Sequence, residues 1–241
     1  MKRAGLYFLL MLMGLRAFAI TDKIKLGLAV SPGLSWLQPQ GKNVKLNAVG
    51  FAAQYGIVLD YYFKGQNYGI STGIFGGNDA GSLSGRDSFN VWAGKSVTES
   101  YSNYTVTLPI YLKLKTNPIK EKWRVFGQIG MSFVFTASSR ATFDTKFTDK
   151  TNGTIIDIYK ENVLSSSNDV QRIIPGFKYQ VFDARLSVGV GFEYEIKDKA
   201  TPFFALQYHN GFVNVMSDGS VNPKNDGVLM RNFLFCFGVM F

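Results

Sequence analysis

Phe182-Asp183-Ala184-Arg185-Leu186-Ser187-Val188-Gly189-Val190-Gly191-Phe192-Glu193-Tyr194-Glu195-Ile196 is the stretch that decides the fold. Its even positions are apolar throughout: Phe182, Ala184, Leu186, Val188, Val190, Phe192, Tyr194 and Ile196. Its odd positions are small or charged: Asp183, Arg185, Ser187, Gly189, Gly191, Glu193 and Glu195. Successive side chains of an extended chain point to opposite faces, so this is a strand with one greasy face and one small, polar face. A period of 3.6 would scatter both sets around a helix.

Working outward, the same period of two recurs in seven more segments, near 24–31, 48–63, 67–77, 101–115, 123–136, 202–213 and 229–241. Ile24, Leu26, Leu28 and Val30 alternate with Lys25, Gly27, Ala29 and Ser31. Val106, Leu108, Ile110, Leu112 and Leu114 alternate with Thr107, Pro109, Tyr111, Lys113 and Lys115. Phe233, Phe235, Phe237 and Val239 alternate with Leu234, Cys236, Gly238 and Met240. A soluble β-sandwich also alternates, but its strands usually run about five or six residues, and most of these are longer. The small face of Gly, Ala, Ser and Thr is a poor sandwich core. It suits the tight interior of a small barrel whose apolar face meets lipid. The reading is an all-β, eight-stranded antiparallel up-and-down transmembrane β-barrel.

Connection lengths alternate too. Lys64-Gly65-Gln66, Thr116 to Lys122, and Lys197 to Ala200 are short. The stretches near 32–47, 78–100, 137–180 and 214–228 are long and rich in Ser, Asn, Asp, Gly and Thr. Short periplasmic turns facing long outer loops are the layout of outer-membrane barrels. Tyr61, Phe63, Tyr68, Trp123, Phe192 and Tyr194 lie by the short turns, and Phe51, Tyr104, Phe135, Phe182 and Tyr208 by the long loops, as two interfacial girdles. The last residue, Phe241, closes an alternating strand and is expected to address the chain to the outer-membrane assembly machinery.

The 241 residues begin with Lys2-Arg3, an apolar run over Leu6–Met13 and Ala17-Phe18-Ala19, a small-x-small cleavage pattern. Residues 1–19 are therefore expected to be an export signal and 20–241 the barrel. The apolar run is too short to be a comfortable transmembrane anchor, and Arg16 interrupts its end. Losing Lys2, Arg3 and Arg16 lowers the formal net charge from +9 to +6. One Cys excludes an internal disulfide and one His excludes a two-His metal site. Gly189-Val190-Gly191 runs on into a strand rather than a helix, so no dinucleotide loop is read there. Basic residues are scattered with no aromatic platform among them, which argues against a nucleic-acid partner. No cofactor is expected.

Four segments resemble one family: Ile24–Ser31 as its opening strand, Tyr104–Lys113 as its Pro-containing fourth strand, Phe182–Tyr194 as its Gly-x-Gly strand, and Gln207-Tyr208-His209-Asn210-Gly211-Phe212 as its Tyr-x-x-Gly-Leu segment, with Phe212 in place of Leu. The family is the PorT-like outer-membrane β-barrel group of Gram-negative bacteria. The resemblance implies residence in the outer membrane. Since some relatives serve a protein secretion and gliding apparatus, it also implies an accessory role in protein export.

An eight-stranded barrel is filled by side chains rather than open. Strand direction gathers Asp60, Lys113, Lys115, Arg124, Glu193 and Glu195 in the lower lumen. The candidate polar network is Asp60, Lys113, Arg124 and Glu193, read as a plug of salt bridges, with an ion or proton path as the alternative. His209 is the one residue a His-dependent lipid hydrolase could use. It is followed by Asn210-Gly211, with no Ser two residues on, so a hydrogen-bonded filler is expected and no enzyme. Cys236 reads as lumen filler. Asn103-Tyr104-Thr105 and Asn152-Gly153-Thr154 match glycosylation sequons that arise readily by chance. Within 137–180, Thr154–Tyr159 is strand-like and is expected to prolong the fifth and sixth strands as a stiff loop, or as an edge that takes a partner by strand addition. The expected role is structural or interactive, through the outer loops toward an envelope protein, with outer-membrane lipid around the wall. A lipid-modifying enzyme and a narrow channel are the alternatives.

Overall fold

The computed structural model describes residues 23–41, 44–63, 67–86, 96–120, 122–143, 147–148, 155–156, 160–162, 178–196, 200–217 and 227–241. The expected signal at 1–19 and the sequon at Asn152 lie outside them. Eight long strands make the wall: β1 (Ile24–Pro39), β2 (Val44–Tyr62), β3 (Tyr68–Arg86), β4 (Ser96–Lys115), β5 (Trp123–Phe143), β6 (Phe182–Tyr194), β7 (Thr201–Gly211) and β8 (Val228–Met240). Each pairs antiparallel with its neighbour in sequence, and β8 pairs back onto β1 from Gly27↔Met240 to Pro39↔Val228, closing the cylinder. Closure leaves no open strand edge in the wall, which hydrocarbon would not tolerate.

The alternation reads true through the lower wall, and higher up bulges at Leu46/Ala48 and Val49/Ala53 of β2 and at Tyr104/Thr105, between β4 and β5, interrupt it. On β4, Ile110, Leu112 and Leu114 face outward while Tyr111, Lys113 and Lys115 are buried inside. On β6, Val188, Val190 and Phe192 face outward over buried Asp183, Arg185, Ser187 and Glu193. The glycines of the Gly-x-Gly strand keep the lumen wide enough for its filling. A Cβ on Gly191 would stand 2.6 Å from Phe126 Cζ, and one on Gly189 2.9 Å from Gln128 Cγ.

Strand lengths differ from the sequence reading. β1 does not end at Ser31 but runs through Pro32-Gly33 to Pro39, and β2 starts at Val44, so the loop expected at 32–47 is a short outer connection. Proline does not break the strand here. Pro32 lacks only an N–H: the ladder to β8 skips Ser31 and Pro32 with its register unchanged, while pairing to β2 continues through Pro32↔Ala53. Pro109 lies beside a similar gap in the β3 ladder, between Thr72↔Ile110 and Phe75↔Thr107, and the Thr72 hydroxyl donates to the Pro109 carbonyl at 2.7 Å. β3, β4 and β5 likewise extend into the stretches expected as loops, to Arg86, from Ser96 and to Phe143.

β1–β5 are 16–21 residues long and β6–β8 only 11–13. The low side is raised by two short pieces. Met216–Ser217 pairs with Val228 of β8 and with Lys178–Tyr179, and Thr136 of β5 donates its N–H to Val181. The strand-like Ile155–Ile156 does not prolong β5 and β6. It pairs with Phe147–Thr148 in a separate ladder, and Lys160–Asn162 is what pairs with Arg140–Thr142 of β5. Two hydrophobic residues with a nearby strand-forming partner close a local hairpin more readily than they cross to a distant wall.

Above the lipid band the strands reverse their polarity. Inside, Leu37, Val44, Leu83, Tyr101, Ala141, Tyr179, Val215, Met216, Val228 and Met230 form a buried apolar core. Outside, Lys45, Asn47, Ser100, Ser102 and Arg140 face water. The barrel is thus a lipid-facing storey beneath a water-facing one.

Candidate functional site

The lumen is filled in layers. At the mouth beside the short turns Glu195 lies 3.6 Å from Lys25 Nζ and 3.5 Å from Arg124 Nε. Above it, Lys113 Nζ stands 2.8 Å from Asp60 Oδ2 and 2.5 Å from Glu193 Oε1, and Lys115 Nζ 3.1 Å from Glu193 Oε2. The strand between makes room for these contacts: Lys113 pairs with Gly69 and Asp60 with Ser71, so β3 offers only small side chains at that level. The Tyr62 hydroxyl donates to Asp60 at 2.7 Å, and the two ammonium groups lie over the rings of Phe126 (4.3 Å) and Tyr62 (3.8 Å). Two carboxylates and two ammonium groups balance. Three of the four predicted residues, Asp60, Lys113 and Glu193, join here with Lys115. Arg124, at the level below, pairs with Glu195 instead.

An apolar layer follows, with Ala29, Val58, Phe126, Ala205, Cys236 and Met240 buried together. Over it runs a hydroxyl chain: Tyr111 to Ser132 (2.6 Å), Ser132 to Ser187 (2.8 Å), and Ser187 Oγ to His209 Nδ1 (2.9 Å). His209 Nε2 faces Gln207 Oε1 at 3.4 Å. The Ser–His contact that adjacent residues lack is supplied across two strands, through the pairing Ser187↔His209. Its partner on the far nitrogen is an amide rather than a carboxylate, and both residues are buried.

A second charged layer lies outside the sequence-predicted network. Arg185 donates from Nη1 to Asp79 (2.8 Å) and from Nε to Asp183 (2.6 Å), and Asn232 Nδ2 donates to Asp79 at 2.8 Å. Asp79 falls in a stretch that reads as loop in the sequence. Continuing the alternation of β3 past Gly77 places it inward with Gly81 and Leu83. Higher still, the Ser139 hydroxyl donates to Asn103 (2.6 Å) and Asn103 Nδ2 to the Tyr179 hydroxyl (2.8 Å). Asn103 is 1% exposed, which removes its sequon from consideration. The apolar core of the upper storey closes the top. Among the described residues no three His, Cys, Asp or Glu gather as metal ligands.

The sequence matches the family model of the outer membrane protein beta-barrel domain over residues 18–217. No curated protein matches it. Among solved structures it is similar to Ail, the attachment invasion locus protein of Yersinia pestis (14% identity, 91% of this chain and 99% of that one, TM-score 0.33). It is also similar to OprG from Pseudomonas aeruginosa (15%, 89% and 95%, 0.41) and to a major outer membrane protein from Thermus thermophilus (13%, 90% and 99%, 0.43). A closed eight-stranded barrel, greasy on its lipid face and filled with paired charges within, matched by that model over most of its length, belongs to the outer membrane protein β-barrel domain family and resides in the outer membrane.

Proposed function

We propose that this chain is a non-conducting, non-enzymatic outer-membrane protein that works through its outer end as a structural or interaction partner, in the manner its PorT-like resemblance implies for accessories of protein export. The observation that carries this reading is the filled lumen. From Glu195 at the mouth to Met230 at the top, each level is occupied by side chains bonded or packed to one another, and a solute path would have to break two buried charge layers. Its partners on this reading are outer-membrane lipid around the wall and an envelope protein at the outer loops. The Ser187–His209 contact supports the second reading, a lipid-modifying enzyme, but among the described residues the far nitrogen of the imidazole faces the Gln207 amide rather than a carboxylate, and the pair lies inside the plug.

The test is capture of partners from detergent extracts by the folded barrel, with and without residues 144–176, a deletion that starts beyond the last residue of β5. Loss of a specific protein on deletion supports the interaction reading. Unitary conductance in planar bilayers abolished by Asp60→Ala overturns it in favour of a path. Lipid A hydrolysis lost in Ser187→Ala overturns it in favour of the enzyme.

A further inference from the structure

The outward row of β8 reads Val239, Phe237, Phe235, Phe233 and then Arg231. Eight residues separate Val239 from Arg231, about 27 Å along a strand at roughly 3.4 Å per residue. At the usual tilt of about 40° this is some 21 Å of membrane depth, close to the height of an outer-membrane apolar band. The neighbouring rows turn polar at the same height. Arg231 pairs laterally with Trp36 on β1 and with Asn210 on β7, and Tyr208 lies one row below Asn210. The Trp36 and Tyr208 rings reach toward each other over β8, with centroids 6.3 Å apart. Trp and Tyr mark the headgroup level of a bilayer. Arg231 therefore stands at that level, in the same row as Trp36 and Asn210 and one row above Tyr208.

No group among the described residues neutralises it. Arg231 forms no ion pair there, and its Nε is buried without a hydrogen-bond acceptor. The six described carboxylate side chains, Asp60, Asp79, Glu99, Asp183, Glu193 and Glu195, all face the lumen or its lower mouth. On the outward face of the upper half the described charges are Lys45, Arg140 and Arg231, all positive. A guanidinium is a planar fork that matches the oxygens of a phosphate, and such bonds are among the stronger ones proteins make. We propose that Arg231, with Trp36, Tyr208 and Asn210, is a docking site for the phosphate of an outer-leaflet glycolipid, whose acyl chains lie along the Phe233–Phe235–Phe237 row below.

The experiment titrates the full folded chain in detergent with diphosphorylated lipid A and with the same lipid stripped of phosphate, counting retained lipid by native mass spectrometry. Wild type is expected to hold the phosphorylated form at least ten-fold more tightly, a difference of about 1.4 kcal/mol. Arg231→Gln is expected to lose that preference, Arg231→Lys to keep part of it, and Lys45→Ala, on β2, to keep all of it. Folding of each variant is read from its heat-modifiable mobility in gels. Equal retention of both lipids by wild type overturns the site whether or not Arg231→Gln folds. A folded Arg231→Gln that still prefers the phosphorylated lipid, or a Lys45→Ala that loses the preference, overturns it in favour of a diffuse basic rim.

Discussion

The two storeys of this barrel are built from the same strands with opposite chemistry. Below, β4 points Lys113 and Lys115 inward and Leu112 and Leu114 outward; above, it points Tyr101 inward and Ser100 and Ser102 outward. Solvent explains the exchange. Where hydrocarbon surrounds the wall, burying apolar side chains inside would gain little, and the lumen can hold polar groups provided they satisfy one another. Where water surrounds the wall, the usual hydrophobic burial returns, worth about 25 cal/mol per Å². The level at which the exchange occurs, near Trp36, Arg231 and Asn210, marks the outer membrane surface. The sign of the alternation changes, and bulges in β2 and between β4 and β5 shift its phase on the way.

Substitutions can sharpen this contrast. Arg185→Met should have the largest effect, at the upper end of about 3–5 kcal/mol, because it leaves both Asp79 and Asp183 buried without their cation. Urea unfolding in lipid vesicles would measure it, and a loss under about 1 kcal/mol would mean that water already solvates that layer. Lys113→Met should cost nearly as much, about 3 kcal/mol. Adding Asp60→Asn should recover most of that loss, since the charges then leave together and Glu193 retains Lys115. A double variant no more stable than Lys113→Met would show that the plug acts through shape rather than charge.

The next effect sets the storeys directly against each other. Ile110→Arg, in the lipid band, should cost about 2–4 kcal/mol by the same assay. Ser102→Arg, two turns of the zigzag beyond Val106 and facing water, should change stability by less than about 0.5 kcal/mol. Equal costs would move the membrane surface and break the comparison. A small gain, read by the same unfolding assay, is expected in the short turn between β4 and β5, where Lys120 adopts a φ of 50°. Lys120→Gly should relieve the left-handed strain and stabilise by about 0.5–1 kcal/mol, offset in part by glycine's greater chain entropy.

Period two was enough to give the strand count and the facing of residues in the lower wall, because the pleat forces side chains to opposite sides whatever their partners; closure into a barrel also needed the strand lengths and the small inward face, which a sandwich would not have. It also placed Asp60, Lys113 and Glu193 at one depth, since strand direction and distance from a short turn are local quantities. Where strands end is not legible in the same way. Pro32, Pro39 and the Ser- and Asn-rich continuations of β3 and β4 look like loop, and only the neighbouring strands supply the ladder that holds them extended. Three things belong to the tertiary structure. Arg185 bridges Asp79 and Asp183, Ser187 meets His209, and Arg124 takes Glu195 rather than the buried four. Each depends on which side chains meet across the lumen or between neighbouring strands, and that is set by register and by the space small residues leave, which a one-dimensional pattern does not contain.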